Sequence, residues 1–115
     1  MQVGNSSVDT GSNYSTTAIV GDGSSATSSR WSSQTYMRAD GSGTGTGQFI
    51  WVVHFMSYAN TNVNKTALSA YGGAGIAVGR NVNLWRSTSA ITNVKFYPSS
   101  GTITGTASLY GIKAA

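Results

Sequence analysis

FIWVVHFMSY, residues Phe49 to Tyr58, is the most apolar run in this chain of 115 residues, and its reading as helix or strand decides the fold. Phe49, Trp51, Val53 and Phe55 occupy one set of alternate positions; Ile50, Val52, His54, Met56 and Tyr58 occupy the other. An extended chain of this sequence is apolar on both faces. Length alone admits a helix, but the β-branched and aromatic content and the glycines before it favour a strand, and a central one.

The flanking sequence supports strands. Upstream, GSGTGTG (Gly41 to Gly47) reads as a loop or wide turn. Before it, Arg30 to Arg38 alternates Trp31, Ser33, Thr35 and Met37 against Ser32, Gln34 and Tyr36. Tyr14 to Val20 sets Tyr14, Thr16, Ala18 and Val20 on one face and stops at Gly21-Asp22-Gly23, with a Ser-rich loop after it. Met1 to Val8 reads as the end of a strand. Downstream, the turn YANTNVN (Tyr58 to Asn64) leads to a strand over Lys65 to Tyr71, broken by Gly72-Gly73-Ala74-Gly75, and then to two short strands, Ile76 to Arg80 and Val82 to Trp85.

The last third reads as a hairpin. Ile91 to Tyr97 alternates, Pro98-Ser99-Ser100-Gly101 reverses the chain, and the return runs through Ile103, Gly105, Ala107 and Leu109 on one face. Leu109 to Ile112 is apolar on both faces, which suits a strand held between the core and another copy of the chain. About eight short strands separated by turn signals predict one all-β domain over residues 1–115, a jelly-roll-like antiparallel β-sandwich, either whole or the C-terminal part of a longer domain or fibre.

Ser, Thr, Gly and Asn make up nearly half the chain, and 9% of residues are charged. The recurring Trp, Tyr, Phe, Ile and Val supply the buriable surface that disordered segments lack. No apolar run reaches membrane-spanning length, and the start lacks the basic and apolar regions of a signal peptide. The net charge of +4 comes from seven scattered basic residues, which do not cluster as a nucleic-acid site requires. This charge is compatible with anionic surfaces such as acidic polysaccharide.

Most catalytic schemes lack parts here. The chain has one His, no Cys, no Glu, and Asp only at positions 9, 22 and 40, so no thiolate metal site, disulfide or paired-carboxylate glycosidase is expected. His54 lies among apolar residues and reads as a packed or interface side chain. Asp9-Thr10-Gly11-Ser12, with Gly79-Arg80-Asn81, has the letters of an aspartic protease that shares one Asp per subunit; against this, eight residues precede Asp9 and no apolar run leads into it. The Gly-rich stretches lack the Lys-Ser or Lys-Thr of a phosphate loop. The expected sites are therefore for binding. Tyr36, Tyr58 and Tyr71, near loops, with Asn60 and Asn62, are candidates for stacking on and hydrogen bonding to sugar rings. His54, Met56, Tyr110 and Ile112 are candidates for a subunit interface, and no cofactor or metal is expected.

The words DTGSNYS (Asp9 to Ser15), GDGSS (Gly21 to Ser25), YANTN (Tyr58 to Asn62) with Lys65-Thr66, LWRSTSAI (Leu84 to Ile91) and SLYGIK (Ser108 to Lys113) span nearly the whole chain. Together they resemble a group of tailed-bacteriophage virion surface proteins, in which such domains form the C-terminal end of tail fibres or spike-like proteins. The resemblance implies a jelly-roll-like sandwich, commonly a homotrimer, exposed on the particle, contacting other virion proteins and attaching to a host-surface glycan or decorating the head. It implies no catalytic residue, nucleic-acid partner or membrane insertion. Members of the group have a longer stretch before the DTG word; here the expectation is a fragment, or a sheet edge completed by a neighbouring chain.

Overall fold

A computed structural model describes residues 1–39, 48–73 and 75–111. Among these there is no helix. The chain forms seven antiparallel strands in two sheets: β1 (Gln2–Gly4), β2 (Tyr14–Gly21), β3 (Ala26–Gln34), β4 (Ile50–Met56), β5 (Lys65–Gly73), β6 (Ala77–Trp85) and β7 (Asn93–Lys95). The five long strands lie in the order β3-β2-β6-β5-β4, and β1 pairs with β7 in a separate two-stranded sheet. The fold is thus the expected all-β antiparallel sandwich.

The small sheet closes one end of the large one. Met1 and Val3, with Met37 and Ile91, pack against Tyr14, Ala67 and Trp85 of the large sheet, while Val53 and Phe55 of β4 border this cluster. Met37 reaches it because β3 carries one extra residue: Tyr14 faces Gln34 but Thr16 faces Trp31, and Ser33 turns left-handed at φ 53°. Such a bulge re-aims the strand that carries it. The chain then leaves the sheet edge and crosses its inner face, where the Arg38 N–H donates to Thr16 Oγ1 (3.2 Å) and Asn81 Nδ2 donates to the Arg38 carbonyl (2.9 Å).

Four elements differ from expectation. The strand expected over Arg30 to Arg38 is displaced to Ala26–Gln34 and takes in part of the expected Ser-rich loop, because those residues pair with β2. Residues 77–85 are one strand, not two, because Asn81 lies within the ladder, paired with both Ala18 and Ser69. The run Ile50–Met56 is a strand but lies at the sheet edge, with β5 the one strand beside it among the described residues. The expected C-terminal hairpin is absent: Asn93–Lys95 pairs with β1 instead, and the described residues after it form no strand. Val94 thereby lies opposite Val3 in the ladder, still partly exposed, while Leu109 and Tyr110 are 90% and 85% exposed. Gly41 to Gly47, Ala74, Asp40 and Ile112 lie outside the described residues.

Candidate functional surfaces

Register fixes which side chains share a face. On the inner face, Tyr14, Thr16 and Ala18 of β2 stand beside Trp85, Asn83 and Asn81 of β6, and these beside Lys65, Ala67 and Ser69 of β5. All nine are buried, yet five of them are polar or charged. Burial of such groups is tolerated when they bond to one another. Thr16 Oγ1 donates to Asn83 Oδ1 (2.6 Å), Asn83 Nδ2 donates to Ser69 Oγ (3.1 Å), and Lys65 Nζ donates to the carbonyls of Val63 (2.7 Å) and Thr88 (2.9 Å). Tyr71 lies on this face against Gly79, where an added Cβ would collide with the Tyr71 hydroxyl and come 2.8 Å from the Ile19 carbonyl oxygen.

The DTG word forms a closed knot. Asp9 Oδ1 accepts the Gly11 N–H (2.7 Å), and Oδ2 accepts from Trp85 Nε1 (2.7 Å) and Asn13 Nδ2 (2.9 Å). Burial pushes the carboxyl up, but the bonds from Trp85, Asn13 and Gly11 outweigh it and hold the pKa below its ordinary 3.8. The Tyr14 ring stacks on Trp85 at 6.5 Å, and its hydroxyl lies 2.8 Å from the carbonyls of both Val3 and Asp9. Burial raises the Tyr14 pKa to about 12. Three of the roughly four acceptor sites of the Asp9 carboxylate are thus taken up within the subunit.

A row of cations and rings runs along the side of the sandwich. The Arg38 guanidinium lies 4.2 Å from the Trp31 ring centre and 5.6 Å from that of Tyr36; Tyr36 meets Tyr97 edge-on at 6.5 Å, and Lys95 Nζ lies 5.4 Å from the Tyr97 ring. Two charges and three half-buried rings are thus presented together. Of the expected ligand residues, Tyr36 belongs to this row. Tyr58, Asn60 and Asn62 lie together in the exposed turn after β4, where the Asn60 side chain accepts the Asn62 N–H (2.7 Å). Tyr71 is buried at 5% exposure, away from both.

No family model, curated protein or solved structure matches the chain.

The outer face of the large sheet reverses the usual pattern. Ile19, Val78, Val82, Leu68, Ile50 and Val52 all point to solvent there, as do Met56 and His54 from the expected interface set. Tyr110 is on the exposed C-terminal segment instead. Val78 and Val82 were not legible as part of this surface from the sequence, because reading β6 as two strands hides the run Val78, Arg80, Val82, Leu84 opposite Gly79, Asn81, Asn83, Trp85. Among the described residues no three His or Asp side chains gather as a metal site.

Proposed function

We propose that this chain is a non-enzymatic structural domain of a phage particle, a homotrimeric tail-fibre or spike tip at the virion surface that attaches to a host-surface glycan. The observation that carries the reading is the row Trp31, Arg38, Tyr36, Tyr97 and Lys95, which offers flat faces and positive charge in one place. Sugar rings stack on such faces, and a cation beside them suits an acidic glycan. The turn bearing Tyr58, Asn60 and Asn62 adds exposed amide and phenol groups at a second place. The resemblance of the LWRSTSAI and SLYGIK words to phage surface proteins supports the same reading.

Attachment is tested by binding of the isolated full chain to host cells and to their purified surface polysaccharide. Tyr36→Ala combined with Lys95→Ala is expected to reduce binding at least about tenfold, since each lost ring or cation contact is worth about 1 kcal/mol. Unchanged binding removes the row from the account. The second reading, a decoration protein on the head, is favoured by the breadth of the apolar sheet face, which suits seating on a neighbouring subunit. Absence of adhesion together with tight binding to empty heads transfers the assignment to it.

A further inference from the structure

We infer that the outer face of the five-stranded sheet is the surface through which the chain assembles with further copies of itself, with β4, β5 and β6 at the centre of the contact and β3 at its rim. The inference rests on the proposed homotrimer for its copy number only.

Polarity is graded across the strands. Reading along one row of the register from edge to edge, Arg30 of β3 is followed by Thr17, Val82, Leu68 and His54; one row further on, Ser28 is followed by Ile19, Arg80, Ala70 and Val52. The β3 side is Ser, Thr and Arg, and the β4 and β5 positions are apolar apart from His54 and Thr66. That is the anatomy of a subunit contact, apolar at its centre and polar where it meets water. Arg80 interrupts the apolar part with a long aliphatic stem, which can lie on such a surface while its charge reaches solvent.

The areas agree with this use. Ile19, Ile50, Val52, Leu68, Val78 and Val82 are each between 39% and 75% exposed. With Met56 they leave on the order of 700 Å² of apolar surface open, above the roughly 300–600 Å² of an ordinary monomer's largest patch and close to the roughly 800 Å² each partner gives to a standard interface. A second copy is also the partner that the edge suits: among the described residues no strand pairs with the outer side of β4, which carries no Lys, Pro or bulge to discourage pairing, whereas β3 at the other edge carries a bulge and Arg30.

The native chain has no cysteine, so a single introduced thiol reports on one place. Val82→Cys and Leu68→Cys probe the centre of the face, and Ser99→Cys probes an exposed turn remote from the sheet; each full-length variant is treated with a maleimide while its mass is followed by native mass spectrometry. The expected result is a multi-subunit mass in which positions 82 and 68 react at least about tenfold more slowly than position 99, with Val82→Asp giving a folded single subunit. A single-subunit mass for the unmodified chain, or an assembly in which position 82 reacts as fast as position 99, overturns the inference. Neither readout depends on host binding, so failure of adhesion alone bears on the proposed function and not on this surface.

Discussion

Asp9 shows how one side chain ties three segments together. Its carboxylate joins the Gly11 turn, Asn13 and the Trp85 indole. A charge-assisted hydrogen bond of this kind contributes about 1.5–3 kcal/mol. Asp9→Asn puts an amide N–H where an acceptor is needed, and a loss of that size is expected in urea unfolding. The pH dependence follows from the lowered pKa: the folded state favours the ionised form, so this stability is present above the unfolded value near 3.8 and is lost as pH falls through the lower folded value. Asp22 acts in the same direction, its carboxylate held below the usual range by the backbone N–H groups of Ser25 and Ser24. Melting temperature is therefore expected to fall steeply below about pH 4, and less steeply in Asp9→Asn. Gly79 makes a second residue-scale case: Gly79→Ala forces Tyr71 or the β2 backbone to move, at an expected cost of about 1–3 kcal/mol in the same assay.

At the scale of elements, Lys65 begins β5 and pins two loops with its ammonium, through the carbonyls of Val63 and Thr88. Lys65→Met keeps the stem but leaves both carbonyls without that donor, and a loss of about 1–3 kcal/mol is expected, read as a lower urea midpoint at unchanged slope. Elements like this one explain what the sequence makes legible. Alternation placed β2, β4 and β5 within a residue or two at most ends, since period two is local information. It does not say which of two alternating sets faces inward. In β6 the inward set is Gly79, Asn81, Asn83 and Trp85, and the outward set includes Val78 and Val82, the reverse of what hydrophobicity suggests; Thr16 and Ser69 bond both ends of the Asn83 amide and the Arg38 carbonyl accepts from Asn81 Nδ2, while Asn81 Oδ1 is buried without a hydrogen-bond partner among the described residues. The displaced β3 was hidden for a related reason: ATSSR has no apolar rhythm and owes its pairing to β2. The C-terminal segment has the rhythm of a strand, but β1 pairs with Asn93–Lys95 and the described residues beyond Lys95 find no ladder in the subunit. The cation and ring row joins positions 31, 36, 38, 95 and 97, a meeting that only the bulge at Ser33 and the β1-β7 pairing bring about.

At the scale of the molecule, the buried apolar set is small and sits at one end, while the broadest apolar surface faces out. In the assembly proposed above, much of the hydrophobic stabilisation of each subunit comes from association. Its melting temperature is accordingly expected to rise with protein concentration, as it does when only the folded state assembles. The most direct test of that account is the mass of the unmodified chain in solution, measured by light scattering across a hundredfold range of concentration. The account predicts three subunits at the upper end, dissociating on dilution; one subunit throughout, with a melting temperature that does not change, would contradict it.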